Sequence, residues 1–356
     1  MILNGFSRLA RFVLFPWYLL VLVACDGAPE PTKFSGQTMG TRYNVTLVAP
    51  LTGRDISAVE AAIETALADV NARFSNWDSG SEVSRFNAHG SDEVVSISKP
   101  FGALLEIANQ VHVASEGRFD VTLAPLIELW GFGATSAAKA VPDEDAIQGA
   151  MAQVGQGRLL SYDASASRLK KHRPDVTLNL SAIAKGAGVD EVAGVLAALG
   201  HENYMVEIGG ELLVRGAGPR GAAWRIGLER PDAAGRLVER VLEITDTAVA
   251  TSGDYRNYFE RDGVRYSHIL DPTTGRPVVH DTASVTVLAD TVTLADAWAT
   301  ALLVLGSQRG TPVAERHGIA ALFIDRMKDA VETTYETTST AAFDRKTAQL
   351  AATPPQ

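Results

Sequence analysis

The sequence predicts an α+β protein in which twisted, mixed sheets are flanked by helices. Two observations predict this class. Segments that alternate between apolar and polar residues, as half-buried strands do, recur from residue 41 into the last third of the chain. Between them lie segments with apolar residues at helical spacing. Helices and strands interleave without a strict βαβ period, and no internal repeat occurs.

In the first half, the alternating segment 41–49 predicts a strand. Residues 56–74 carry apolar side chains at helical spacing, and Asp55 is the expected N-cap of that helix. Further helices are expected over residues 100–115 and 143–155.

In the second half, residues 181–200 predict a helix opened by Ser181 and closed by Gly200. "NYMVEIGGELLVRG" predicts two strands separated by Gly209 and Gly210. A strand over 282–288, a helix over 294–305 and the strand "IAALFID" follow, before a polar tail over 346–356.

The N-terminus predicts export. Arg8 and Arg11 precede the apolar stretch 12–24, which is too short for a spanning helix of about 20 residues and is typical of a signal peptide, here residues 1–24. It ends in "LVAC", which resembles a bacterial lipobox, so Cys25 is expected to carry the lipid. Asp26 indicates retention at the inner membrane, on its periplasmic side. Residues 25–36 are expected to form a tether.

The net charge and the cysteine content limit the classes of partner and of covalent chemistry that the chain can have. The formal net charge is −10, and no run of lysines and arginines occurs, so a nucleic-acid partner is not expected. Cys25 is the only cysteine, which excludes an intramolecular disulfide. An acidic protein that holds a phosphate-rich ligand needs a metal ion or clustered backbone donors.

Asp296 and Thr300 are four residues apart, so their oxygens share one face of the predicted helix near its N-terminus. A carboxylate and a hydroxyl are hard ligands that suit Mg²⁺. The alternative is a capping box, Thr293-x-x-Asp296, in which Asp296 only satisfies the helix terminus.

Three other segments offer ligand-binding groups. In "NLSAIAKGAG" the small residues allow a ligand close to the backbone, and Lys185 can pair with a phosphate; the alternative is a capped helix with a solvated lysine. Gly209-Gly210 indicates a bulge or a close backbone approach. "ATSGDYRNYF" (250–259), which contains Ser252, is expected to be a loop rich in donors. No HExxH, GxSxG, Walker or dinucleotide-binding fingerprint is present.

His268 stands near the end of the predicted strand 265–270, before a turn that opens at Asp271-Pro272 and closes at Gly275. Taken alone, such a histidine can simply decorate a loop. It can also act as a base, because its ordinary pKa lies near neutrality.

Taken in order, eight segments resemble the ApbE family of FAD:protein FMN transferases, which are bacterial lipoproteins. The segments are "GQTMGTRY", "RFSNWDSGSEVSRFN", "RFDVTLAPLIELWGFG", "LNLSAIAKGAGVD", "EIGGEL", "ATSGDYRNYF", "YSHILDPTTGRPV" and "ADAWATALLVLG". The resemblance covers nearly the whole chain after the signal peptide and implies an ApbE-like fold with a central FAD cleft, over residues 37–345.

The resemblance also implies an activity: Mg²⁺-dependent transfer of the FMN half of FAD to a threonine or serine hydroxyl of another protein, with release of AMP. It implies acceptors among periplasm-facing subunits of sodium-pumping quinone reductases and related electron-transfer complexes. Two alternatives remain at this point. The same motifs serve hydrolysis of FAD to FMN and AMP, and a lipoprotein could bind FAD without any reaction.

Position by position, the resemblance places FAD-binding and metal-binding residues. Mg²⁺ is expected at the backbone carbonyl of Ala184 and the side chains of Asp296 and Thr300. The expected FAD-binding residues are Met39, Trp77, Phe119, Asp120, Val121, Ser181, Lys185, Ala187, Gly209, Gly210, Ser252, His268 and Leu270. The chain departs from the family pattern at "VTLAP", where many members have a second glycine, and at Ala187, where an aromatic residue is common.

The attacking hydroxyl must lose a proton, and His268 is the expected base because it can accept one at neutral pH. Asp254 and Asp271 are the alternative bases, and the sequence does not decide among the three.

Overall fold

A computed structural model of the chain describes residues 30–133, 139–232, 235, 237–328 and 333–352. The predicted signal peptide, Cys25 and Asp26 lie outside these residues. The α-helices are α1 (Gly53–Phe74), α2 (Glu82–Ala88), α3 (Lys99–Ala114), α4 (Ala124–Leu129), α5 (Glu144–Met151), α6 (Gln156–Leu159), α7 (Ala184–Ala198), α8 (Val292–Arg316) and α9 (Ala341–Ala352).

The strands follow the same chain order. They are β1 (Thr32–Thr38), β2 (Thr41–Leu47), β3 (Val95–Ser96), β4 (Leu160–Asp163), β5 (Arg168–Lys171), β6 (Tyr204–Ile208), β7 (Glu211–Arg215), β8 (Trp224–Glu229), β9 (Val238–Ile244), β10 (Thr247–Gly253), β11 (Tyr258–Arg261), β12 (Val264–Ser267), β13 (Leu270–Asp271), β14 (Arg276–Pro277), β15 (Thr282–Ala289), β16 (Ala320–Lys328) and β17 (Thr333–Ser339).

An eight-stranded sheet organises the molecule, in the order β1-β2-β6-β7-β10-β15-β16-β17. Every described pairing in it is antiparallel, so the predicted α+β class is confirmed, while the expectation of mixed sheets is wrong. Helices α7 and α8 pack on one face, with α1 and α3 outside them. The hairpin β8–β9 and α9 cover part of the other face, so the sheet lies between two apolar cores.

The helix termini differ from the predictions. Thr52 occupies the N-cap position of α1, and Asp55 lies in the first turn, where it accepts a hydrogen bond from the Thr52 hydroxyl (2.5 Å). Helix α7 begins at Ala184 rather than at Ser181, and its N-cap residue makes no side-chain hydrogen bond. Gly200 ends that helix as predicted, with a φ of 83° that suits a glycine.

Helix α8 begins earlier and ends later than expected. Its N-cap is Thr291, whose hydroxyl accepts a hydrogen bond from Leu294 N (3.4 Å). Asp296 is therefore not at the third helical position, and the capping-box alternative is wrong. The chain breaks its helical conformation at Gly306 (φ 70°) and then resumes the helix to Arg316.

Two of the expected domain boundaries differ from those in the structure. Residues 32–36, expected in the tether, belong to β1, which pairs along its length with β2. Residues 346–352, expected in the polar tail, belong to α9, in which Phe343 is fully buried. Across the described ranges, no helix combines the length and the apolar character that crossing a membrane requires.

Candidate active site

A cleft of about 850 Å³ opens beside the central sheet, between β7, β8 and β10 on one side and α4 and the 118–120 segment on the other. A cleft of this size is in the range that holds a large cofactor. Most of the sequence-predicted site residues line it, namely Trp77, Phe119, Asp120, Ser181, Lys185, Gly209, Gly210, Ser252, His268, Leu270, Asp296 and Thr300.

Asp296 lies in the wall of the cleft and is only 3% exposed. Its Oδ2 accepts a hydrogen bond from Gly186 N in the first turn of α7 (3.0 Å). Burial raises the pKa of Asp296 to about 7; the charge of Lys185 opposes this rise, and the charge of Glu211 adds to it. A carboxylate this poorly solvated is stabilised in its charged form by a cation.

Lys185 supplies part of that positive charge. Its Nζ lies 2.7 Å from Oε1 of Glu211, the first residue of β7. The Glu211 side chain is buried, and its Oε2 has no hydrogen-bond partner. Burial accordingly raises the pKa of Glu211, while Lys185 lowers it. Lys185 is therefore not the solvated lysine of the alternative interpretation.

Thr300 lies one helical turn after Asp296, and its hydroxyl is 3.1 Å from the hydroxyl of Ser252. Ser252 belongs to β10, so the expected loop over 250–259 is wrong for residues 250–253, and it is also wrong for residues 258–259, which belong to β11. The β10–β15 pairing directs this end of β10 at α8.

These oxygens fit Mg²⁺ chemistry. Across the described parts of the chain, no group of three or more His, Cys, Asp or Glu side chains is arranged to hold a metal ion. Mg²⁺ does not need such a cage, because it is usually held by one or two carboxylates together with water and substrate phosphates. Asp296, which is buried and accepts a hydrogen bond from Gly186 N, and the nearby Thr300 hydroxyl suit that mode.

His268 lies on a bend between β12 and β13 rather than inside one strand, because the predicted strand breaks at residues 268 and 269. Its Nδ1 is 3.0 Å from the carbonyl oxygen of Asn257. A carbonyl only accepts, so Nδ1 carries the proton and Nε2 is the proton acceptor of the neutral ring. Burial lowers the pKa of His268, which favours that neutral form.

The carboxylates of the two alternative bases, Asp254 and Asp271, bind other residues of the protein. Asp254 is buried and forms a two-pronged ion pair with Arg326, including Oδ2 to Nη1 at 2.9 Å. Asp271 accepts hydrogen bonds from the backbone and hydroxyl of Thr273 (2.8 and 2.7 Å) and stabilises the turn after β13. Neither aspartate lines the cleft, so the geometry favours His268.

The 119–121 segment forms a fixed wall. Oδ1 of Asp120 accepts hydrogen bonds from the backbone and hydroxyl of Thr122, and Oδ2 accepts one from Gln156 N (2.9 Å). Phe119 lines the cleft, whereas Val121 is buried behind it and its carbonyl accepts from Asn179 N (2.7 Å). Asp120 therefore shapes the wall rather than offering a free carboxylate.

Besides Val121, the predicted ligand-binding residues Met39, Ala187 and Ala184 do not line the cleft. Met39 occupies the β1–β2 turn with a φ of 49° and packs against Gly188 of α7. Ala187 lines a smaller cavity with Phe74 and Leu104, so its expected place at the FAD site is not supported. Ala184 is buried at the start of α7, beside Lys185, and its expected role as a carbonyl ligand stays a prediction.

Gly209 and Gly210 line the cleft as a backbone turn, whereas Trp77 lines it with an exposed side chain. Gly209 and Gly210 form the two-residue turn between β6 and β7, both with positive φ, so they mark a hairpin rather than a bulge. Trp77 is 73% exposed, which leaves its ring available at the rim. The side chain of the neighbouring Asn76 donates a hydrogen bond to Leu178 O and accepts one from Leu180 N. These two bonds fix the chain beneath Trp77.

Known proteins with related sequences and structures identify the family. The model of the ApbE family matches residues 39–323. A Vibrio cholerae protein named FAD:protein FMN transferase is 42% identical over 311 residues, 87% of this chain and 92% of that protein. The protein of that name from Escherichia coli K12 is 32% identical and covers 88% and 92% of the two chains. This chain belongs to the ApbE family.

Solved ApbE structures agree with this assignment. The flavin transferase ApbE from Vibrio cholerae superposes with a TM-score of 0.81 at 40% identity, over 89% of this chain and 99% of that chain. The apo form of the Pseudomonas stutzeri flavinyl transferase ApbE gives the same TM-score and identity, over 89% and 97%. The predicted ApbE-like fold is therefore confirmed.

The sequence does not point to Glu211 or Asn257, which act on predicted residues of this ApbE-family cleft. Glu211 carries a weak signal, because it is a charged residue that opens an otherwise apolar strand, "ELLV". Asn257 carries none, because it acts on His268 through its backbone carbonyl.

Proposed function

We propose that this chain transfers FMN from FAD to a serine or threonine hydroxyl of an acceptor protein and releases AMP. The observation that carries the proposal is that one cleft combines the His268 imidazole, held through Nδ1 by Asn257, with a buried carboxylate–ammonium group at Asp296, Lys185 and Glu211. The family membership and the names of the relatives support the same reaction.

In the proposed reaction, the acceptor oxygen forms a bond to the phosphorus of the FMN half. The bond from that phosphorus to the bridging oxygen breaks, and AMP leaves with that oxygen. The hydroxyl proton passes to Nε2 of His268. Asn257 holds the ring through Nδ1, so Nε2 stays the accepting atom throughout. Lys185 offers its ammonium to the negatively charged phosphates.

Magnesium belongs to the proposal as well. Asp296 and Thr300 would hold the ion, with the carbonyl of Ala184 as the third expected ligand. When bound, Mg²⁺ supplies charge neutralisation for the pyrophosphate, which an acidic protein needs.

The acceptor and the cellular location rest on the sequence. The acceptor class expected from the resemblance is a periplasm-facing subunit of an electron-transfer complex. Cys25 would anchor the enzyme by its lipid at the periplasmic side of the inner membrane, with residues 26–31 between the lipid and β1. Replacement of Cys25 by Ser should move the protein from the membrane fraction to the soluble periplasmic fraction.

Mass spectrometry of an acceptor tests the activity directly. A purified periplasm-facing subunit of a sodium-pumping quinone reductase is incubated with the enzyme, FAD and Mg²⁺. The expected result is one added FMN on a serine or threonine, with AMP formed in equal amount. His268→Ala is the matched negative control.

The same experiment separates the alternatives. AMP formed at the same rate without any acceptor would indicate hydrolysis instead of transfer. FAD bound without AMP, in the presence of Mg²⁺ and of the acceptor, would indicate a binding protein and contradict the proposal.

A further inference from the structure

Lys139 connects the segment before α5 to the loop that carries Asn257. Its Nζ donates a hydrogen bond to the side-chain oxygen of Asn257 (2.8 Å) and another to the carbonyl of Tyr258 (3.3 Å). The two contacts join residues almost 120 positions apart in the sequence. One lysine thus fixes both the side chain and the following peptide of the Asn257 loop.

Asn257 in turn holds His268 at two points. Its carbonyl oxygen accepts hydrogen bonds from the backbone N of His268 and from Nδ1 of the ring, each at 3.0 Å. Any displacement of the Asn257 peptide therefore moves the backbone and the imidazole together, because both depend on one oxygen atom.

The Phe132 side chain contacts both Lys139 and His268. Nζ of Lys139 lies 5.0 Å from the centroid of the Phe132 ring, within cation–π range. The same ring meets His268 edge-on, with centroids 6.3 Å apart. Phe132 also lines the cleft. Lys139 therefore contacts two neighbours of His268, Asn257 and the Phe132 ring.

We propose that Lys139 is a positioning residue for His268: it fixes the Asn257 carbonyl and the Phe132 ring, and thereby holds the imidazole with Nε2 available to the acceptor hydroxyl. Lys139 itself touches neither substrate nor reacting atoms in this proposal. The inference rests on the proposed transfer reaction for its catalytic consequence, but the geometry of His268 can be measured without any turnover.

The charges around His268 make that measurement possible. Burial is the main cause of its low pKa; Lys139 and Lys185 lower the pKa further, and the hydrogen bond to Asn257 and the charge of Asp254 raise it. Loss of the Lys139 charge should therefore raise the pKa of His268. Lys185 and Asp254 are unchanged in such a variant, but a looser hydrogen bond to Asn257 would lower the pKa, so the titration is read together with the Nδ1 proton signal of His268, which reports that hydrogen bond directly.

The test compares Lys139→Met, Lys139→Arg and, as a matched control, Lys99→Met, which removes an exposed lysine at the start of α3. The ring signals of His268 are assigned in the NMR spectrum by their absence in His268→Ala, and the Nδ1 proton signal and the titration are followed in each variant. Steady-state flavinylation of the acceptor subunit gives kcat and KM for FAD.

Lys139→Met should shift the Nδ1 proton signal of His268 and lower kcat about fivefold, the effect of one lost hydrogen bond, with KM for FAD little changed. Lys139→Arg should restore both values, and Lys99→Met should match the wild type. An unchanged Nδ1 proton signal of His268 in Lys139→Met, with wild-type kcat, overturns the inference. A shifted Nδ1 signal with no flavinylation by the wild type would support the positioning role of Lys139 and contradict the proposed function.

Discussion

Nζ of Lys185 lies 2.7 Å from Oε1 of Glu211, in the wall of the cleft beside Asp296. Two buried carboxylates thus share one ammonium, which leaves the group with more negative than positive charge. Such a group favours a further cation, and a pyrophosphate enters it only with one.

Lys185→Met should lower the free energy of unfolding by about 2 kcal/mol, because it leaves the Glu211 carboxylate buried and unpaired. The double variant Lys185→Met/Glu211→Gln should recover most of this loss, since it buries no charge at either position. Urea unfolding of the two variants and the wild type checks the prediction. Equal destabilisation of both variants would show that the pair contributes by packing and not by charge.

Local patterns explain what the sequence could predict. Asp296 and Thr300 were paired correctly because helical spacing alone brings them together. Local sequence patterns also predict β2, β6, β7, β15 and β16. Strand order is different: β2 pairs with β6, and β7 with β10, across long stretches of chain that no local pattern encodes.

The missed features depend on distant partners. Glu211 meets Lys185 only because β7 and α7 pack against each other. The sequence predicts that the helix ends at residue 305, because Gly306 is a typical stop signal. In the structure the chain resumes its helix after Gly306. Strand β17 is polar and mostly exposed, so its sequence resembles a tail until β16 pairs with it.

Asp296→Asn should lower kcat/KM for flavinylation at least about 100-fold and raise the Mg²⁺ concentration needed for half-maximal rate, because an amide is a weaker ligand for Mg²⁺. Chelation of Mg²⁺ should abolish the wild-type reaction. Asp290→Asn, an exposed aspartate just before α8, is the control and should behave as the wild type. An Asp296→Asn enzyme with unchanged Mg²⁺ dependence would exclude this residue as the ligand.

The pH profile should report His268. A base works only when deprotonated, and burial holds the pKa of His268 below its ordinary value of 6.5. At saturating Mg²⁺, which keeps Asp296 charged, the rate should therefore remain high at pH 6.5 and decline only at lower pH, as the ring gains a proton. We expect the acidic limb of kcat/KM to have its midpoint below 6.5 and to disappear in His268→Gln. A midpoint above 6.5 would disagree with this environment.

Asp254→Asn separates the two candidate bases. Because the carboxylate is paired with Arg326, its loss should cost about 2 kcal/mol of stability, while kcat per folded enzyme stays within about threefold of the wild type. Asp262→Asn, at the exposed β11–β12 turn, is the control. Thermal unfolding and flavinylation are measured together. A stable but inactive Asp254→Asn enzyme would make Asp254 the base instead of His268.

Gly186 and Gly194 both lie within α7, and their replacement by alanine should have opposite effects. A Cβ added at Gly186 would lie 2.6 Å from the carbonyl oxygen of Val292, so α7 and α8 would have to separate. A Cβ at Gly194 would meet nothing within 4 Å.

Alanine is the better helix former, so Gly194→Ala should stabilise the protein by about 0.5–1 kcal/mol. Gly186→Ala should destabilise it by about 2 kcal/mol and weaken Mg²⁺ binding, because Gly186 N donates to Asp296 and moves away with α7. Urea unfolding and calorimetric Mg²⁺ titration measure both effects. The small residue at 186 would then serve the contact between two helices that aims Asp296 into the cleft. If Gly186→Ala were as stable as Gly194→Ala, with wild-type Mg²⁺ affinity, that contact would not control the site.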